Sequence, residues 1–158
     1  DVSFDILNVN GCDIKGSHLS SAGGFFGAVA GKGSALFKPR FEISGGQVLL
    51  GSISVDNGYT AIAGAAVGYL YGDFQKASIK GVMVQKTPLN ITSQGKANVG
   101  CIVGDLNAKG IDSVFVLNSS CLESGLKSSF VTSGKNDATG YIVGLLDLDK
   151  NLNTKKKR

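Results

Sequence analysis

A seven-residue phrase recurs along this chain and constrains its fold more than any other feature. Gly100-Cys101-Ile102-Val103-Gly104-Asp105-Leu106 returns almost unchanged as Gly140-Tyr141-Ile142-Val143-Gly144-Leu145-Leu146. Gly64-Ala65-Ala66-Val67-Gly68-Tyr69-Leu70 keeps the same frame, and Gly23-Gly24-Phe25-Phe26-Gly27-Ala28-Val29 keeps it more loosely. The first glycines of the four copies lie 41, 36 and 40 residues apart. A period near 40 marks a repeat architecture, in which each unit buries its apolar side only by stacking on a neighbour.

The segments between the phrases read as strands and turns. Val2, Phe4 and Ile6 alternate with polar residues, the period of a strand with one buried face. Phe37, Phe41 and Ile43, Val48 to Val55, Ile79 to Val84, Leu89 and Ile91, Ile111 to Val116, Leu122, and Phe130 and Val131 are short apolar runs separated by glycine or polar turns. Pro39 is placed at a corner or an edge and Pro88 in a linking turn, where the missing N–H costs no ladder hydrogen bond. No segment sustains helical spacing, and frequent glycines would weaken a helix by about 1 kcal/mol each. The expected fold is therefore all-β.

Within the phrase, positions +2, +4 and +6 from the first glycine are expected to share one strand face, stacked like on like. The glycines at +4 (Gly27, Gly68, Gly104, Gly144) then mark a bend or a close backbone approach. Position +3 is apolar too, so a second buried face or a turned corner is required. A repeat of this length suits two rungs of about 20 residues, and eight such rungs would make a rod of order 40 Å. The expected architecture is a β-solenoid. A small β-propeller, which has repeats of similar length, is the alternative, but the chain has no tryptophan and none of the usual blade punctuation. The expected organisation is one repeat domain over residues 1–154: a partial repeat 1–20, repeats 21–56, 57–96 and 97–136, a partial repeat 137–154, and a basic tail 155–158. Aligning Leu7-Asn8 with Leu117-Asn118, and Cys12 with Cys121, starts the chain in the second half of a repeat. With Asp1 in first place, this predicts a processed chain or a segment of a longer array.

Composition narrows the function classes. The 23 glycines are about twice the number average usage would supply, yet 42% of the chain is hydrophobic, which separates it from a disordered glycine-rich linker. The net charge of +4 belongs to Lys155, Lys156, Lys157 and Arg158; the remaining basic and acidic residues balance at twelve each. A nucleic-acid partner is therefore not expected, because such domains carry their basic patch on the folded part. No apolar run reaches the 18 residues of a membrane span. Cys12, Cys101 and Cys121 offer no zinc-ligand spacing, and they read either as one disulfide with a free thiol or as three buried thiols.

Asn98-Val99-Gly100-Cys101-Ile102-Val103-Gly104-Asp105-Leu106-Asn107, continued by Ala108-Lys109-Gly110-Ile111-Asp112-Ser113-Val114, resembles the GLUG repeat. That family has a Val-Gly-Gly-Leu-Val-Gly-like phrase, a short turn, then an Ile-x-x-Ser strand. Phe74 to Val82 follows the continuation more loosely, Gly140 to Leu146 carries the opening only, and the first copy departs in lacking valine before Gly27. The resemblance implies β-solenoid segments of large surface-exposed or secreted proteins, often adhesins or cell-envelope components, and implies no catalytic residue.

Searching for chemistry supports no enzyme. His18 is the single histidine and lies in a polar turn, so it reads as an ordinary exposed residue. Asp147-x-Asp149-x-Asn151 imitates an EF-hand start, but Leu152 replaces the required glycine and Arg158 the glutamate. Gly31-Lys32-Gly33-Ser34 lacks the frame of a phosphate loop. Asn90-Ile91-Thr92 and Asn118-Ser119-Ser120 are candidate N-glycosylation acceptors, with Asn118 the better placed. No catalytic residue, cofactor or metal is expected; the site residues are the repeat glycines Gly23, Gly27, Gly64, Gly68, Gly100, Gly104, Gly140 and Gly144. The expected function is a structural or adhesive segment of a larger surface or secreted protein, contacting protein or glycan partners or stacking on itself. A polysaccharide-acting β-helix enzyme and an intracellular scaffold, with a cytoplasmic location, are the alternatives.

Overall fold

The computed structural model describes residues 1–11, 13–17, 20–49, 52–57, 60–93, 95–122, 126–130, 138–140 and 142–147. Among them there is no helix, and seventeen strands wind into a β-solenoid. The first rung holds β1 (Val2–Asn10), β2 (Asp13–Ser17), β3 (Ser20–Gly23) and β4 (Phe26–Gly31). The second holds β5 (Arg40–Leu49), β6 (Ser52–Asn57), β7 (Thr60–Gly64) and β8 (Val67–Gly72). The third holds β9 (Lys76–Gln85), β10 (Leu89–Ser93), β11 (Lys96–Gly100) and β12 (Val103–Asn107). The fourth holds β13 (Val114–Leu117), β14 (Ser120–Leu122), β15 (Leu126–Phe130), β16 (Ala138–Gly140) and β17 (Val143–Asp147).

Equivalent strands of successive rungs pair in parallel and form four faces. Face A is β1-β5-β9 followed by β13 and β14; face B is β2-β6-β10-β15; face C is β3-β7-β11-β16; face D is β4-β8-β12-β17. All-parallel pairing excludes the propeller, whose blades are antiparallel. The period also resolves differently from expectation. One repeat makes one wide, four-sided rung rather than two narrow ones, so four copies build a stack about 20 Å tall, near half the expected rod.

The interior consists of ladders of similar side chains. Ile43, Ile79 and Val116 stack above Phe4, while Val9, Val48 and Val84 lead to Cys121. Ile14, Ile53 and Leu89 line face B. Phe4, Phe26 and Phe41 cluster with ring centroids 5.1–6.4 Å apart. The register corrects the alignment drawn from sequence: Cys121 stacks in the Val9 ladder rather than opposite Cys12, and Leu7 lies level with Gly46, two residues away from the expected match to Leu117. Cys12 itself is outside the described residues. Pro39 and Pro88 do sit at corners, immediately before β5 and β10.

Each face-A strand bends at one backbone position. Ile6, Gly45, Gly81 and Asn118 occupy that level with φ of 55°, 98°, 63° and 50°. The pairing skips them, running from Asp5↔Ser44 to Leu7↔Gly46 and from Ser44↔Lys80 to Gly46↔Val82. The skipped residue resets the inward parity, so that Phe41 and Ile43 before it and Val48 after it are all buried.

Candidate functional site: the groove between faces C and D

The four phrases stack in register. Gly23, Gly64, Gly100 and Gly140 form one ladder. Phe26, Val67, Val103 and Val143 form another, and Val29, Leu70, Leu106 and Leu146 a third. The phrase is not one continuous strand, however. Its first glycine ends a face-C strand, positions +1 and +2 make a bend, and +3 begins face D. Inter-rung hydrogen bonds continue round this corner, from Ala65 N–H to the Cys101 carbonyl and from Ile102 N–H to the Ile142 carbonyl. The inward residues on face D are therefore +3 and +6, with the strand shifting phase at the +4 glycine. The expected grouping of +2, +4 and +6 on one strand face is corrected on this point.

The corner points inward, and two observations establish this. Ala97 and Val99 of β11 and Leu106 of β12 face the core, so Asn98 and Asp105 project from the outer sides of their strands. Yet Asn98 is fully buried, Asp105 is 5% exposed, and Asn98 Nδ2 donates to Asp105 Oδ2 at 2.6 Å. The outer sides of faces C and D therefore confront each other across a groove. The repeat glycines form its floor. A Cβ on Gly64 or Gly100 would run into the carbonyl of Val67 or Val103, and one on Gly104 would lie 2.6 Å from the Ala63 carbonyl of the preceding rung. The close backbone approach expected at +4 is present, and the first glycine of the phrase shares it.

Position +5 varies along the groove wall: Ala28, Tyr69, Asp105 and Leu145 stack there. Tyr69 and Tyr71 pack face to face, centroids 4.4 Å apart and 19° from parallel. Lys96 Nζ approaches Asp105 Oδ2 at 3.8 Å, and Lys109 pairs with Asp147 at 2.7 Å. Burial pushes the Asp105 carboxyl above the usual aspartate range, against the Lys96 charge and the Asn98 hydrogen bond, with Asp147 adding to the rise. The Asn98 Oδ1 is buried without a hydrogen-bond partner, an omission that costs about 1–3 kcal/mol.

Pushing the corner into the core brings it to the opposite wall. Cys101, at phrase position +1, bonds Cys121 on the inner side of face A, with Cα atoms 6.3 Å apart. The cysteine pattern left this pairing open because nothing local in the sequence shows that a face-C/D corner reaches face A.

The remaining candidates lie apart. Asn90 and Asn118 are both exposed, Asn90 on β10 and Asn118 at the face-A bend. Asp147 faces Lys109; His18, Asp149, Asn151, Leu152 and the basic tail 155–158 lie outside the described residues. Gly31 to Ser34 opens the turn between faces D and A, in which Ser34 N–H donates to the Phe37 carbonyl and Lys38 reaches Gly110 O and Asp112. This turn presents Leu36, 99% exposed, and Phe37, 61% exposed. It borders a cleft of about 530 Å³ lined by Asp1, Lys38, Arg40 and Gln75 among others. No group of three or more metal-ligating side chains exists among the described residues, and no helix there is long and apolar enough to cross a membrane. Sequence reasoning passed over Asn98, Asp105, Tyr69 and Leu36. It counted Phe37 among the apolar strand positions, whereas Phe37 stands in the exposed turn between faces D and A, outside any strand. The one signal for the groove residues is that +5 varies in an otherwise regular phrase. No protein-family model matches the chain, and no match was found among curated proteins or solved structures.

Proposed function

We propose that this chain is a non-enzymatic structural or adhesive module of a secreted or surface protein, of the kind the GLUG resemblance implies. The observation that carries this reading is the Cys101–Cys121 disulfide inside the stack, since structural disulfides persist in oxidising compartments. The charge arrangement agrees with it. Glu42 pairs with Lys76 and Lys80 of the next rung, Asp147 with Lys109 of the preceding rung, and Asp112 with Lys38 from a turn two rungs earlier, so the pairs bridge rungs along the stack. Contacts with protein or glycan partners then fall to the variable turns, above all the Leu36–Phe37 tip, and to the two end rungs. Val2 and Ile6 on the first rung and Leu117, Leu122 and Leu146 on the fourth are exposed apolar side chains suited to stacking. Asn90 and Asn118 stand exposed as glycan acceptors in a eukaryotic secretory host.

The test is alkylation of intact, untreated cells bearing the whole parent protein, followed by non-reducing peptide mapping. The expected result is a Cys101–Cys121 linked peptide that surface proteolysis removes from the cells. Recovery of both cysteines as separately alkylated thiols, in a protease-protected pool, would overturn the proposal.

A further inference from the structure

We propose that Asn98 and Asp105 form an acid-closed clasp across the C/D groove, in which Asp105, once protonated, donates its hydroxyl to the Asn98 Oδ1. One of the two hydrogen bonds is already in place, and the acceptor of the other is buried and unmet. The two side chains face each other from β11 and β12, their first hydrogen bond runs from Asn98 Nδ2 to Asp105 Oδ2 at 2.6 Å, and the only unmet groove acceptor among the described residues is the other atom of the same amide, Asn98 Oδ1. A carboxylic acid offers an acceptor and a donor side by side, as a primary amide does. The pair can therefore close a two-hydrogen-bond ring by taking one proton from solvent. An ionised carboxylate is acceptor-only and leaves Asn98 Oδ1 bare.

The charged and titratable groups around Asp105 come from three strands and a turn. Lys96 on β11, 3.8 Å away, favours the ionised form. Asp147 at the end of β17 disfavours it, though Lys109 from the face D-to-A turn holds Asp147 at 2.7 Å. Tyr69 on β8 is the ladder neighbour. Desolvation outweighs these contributions and favours the protonated acid. The folded state thus binds a proton more readily than the unfolded chain. Stability gained through this pair is largest below the ordinary aspartate range and falls as pH rises through the raised value. That is the reverse of ordinary acid denaturation. It is also the reverse of Glu42, whose carboxyl is held low by the Lys80 hydrogen bond and by Lys76.

Asp105→Asn supplies the clasp's donor at every pH. Comparing melting temperatures of the two proteins cancels Glu42 and other shared acids. The variant is expected to melt a few degrees higher at neutral pH, with the gap narrowing as pH falls through the raised Asp105 value into the ordinary aspartate range. A gap independent of pH, or a less stable variant at neutral pH, overturns the clasp. Should the variant fail to fold, an NMR titration of the wild-type protein decides the matter. The Asp105 carboxyl carbon and the Asn98 side-chain amide are expected to shift together, with one midpoint above about 3.9. An Asn98 amide that ignores the titration, or a midpoint at or below that value, overturns it.

Discussion

A methyl group is enough to decide the fate of the C/D corner. At Gly104 an added Cβ would lie 2.6 Å from the Ala63 carbonyl and 2.8 Å from the Gly68 carbonyl oxygen. Backbone atoms of neighbouring rungs cannot give way as a flexible side chain can. Gly104→Ala is therefore expected to lose about 3 kcal/mol in urea unfolding, at the upper end for overpacking. A variant as stable as the parent would mean that the two faces do not meet there. The glycine's importance was legible in the sequence from its recurrence, but its cause was not. Recurrence shows that a side chain is excluded; only the register shows that the excluded space belongs to the preceding rung.

At the scale of the element, face A shows how a strand of up to ten residues stays in a curved wall. Each rung spends one residue in the left-handed region at the same level, and three different solutions appear: two glycines, an asparagine and an isoleucine. Glycine adopts that conformation freely and asparagine tolerates it, whereas a β-branched residue is strained there. Ile6 is 69% exposed, so its side chain contributes little burial in return. Ile6→Gly is expected to raise stability by about 1 kcal/mol, read as a higher urea midpoint at unchanged slope. Around Gly81 the nearest atom to an added Cβ is 3.6 Å away. Its requirement is thus conformational rather than steric, the opposite of Gly104. Alternation in Val2, Phe4 and Ile6 correctly announced β1, yet the parity argument placed Ile6 inward. The skipped bend residue overrides a strict period of two.

For the whole molecule, rungs contact mainly their neighbours, so stability accumulates along the stack. The disulfide ties the third rung's corner to the fourth rung's wall across 20 residues of sequence. In the chain-entropy picture, closing a loop of that length contributes about 3 kcal/mol. Reduction under native conditions is expected to lower the unfolding free energy by that amount and to separate loss of the fourth rung from the rest, as followed by hydrogen exchange. An unchanged exchange pattern after complete reduction would contradict this role.

The repeat phrase, its period and its apolar positions determined by themselves that this chain is built of repeated all-β units, because self-similarity lets each copy bury its side chains only on the next. The parallel pairing that makes it a solenoid and not a propeller came from the tertiary structure. Forty residues per period could not say how many strands share a rung, since two small coils and one large four-sided coil use the same length. The tertiary structure decided that. It also decided that one corner turns inward, which sets Asn98 against Asp105 and Cys101 against Cys121. Those contacts join residues from different faces, and a one-dimensional period carries no information about the angle between faces.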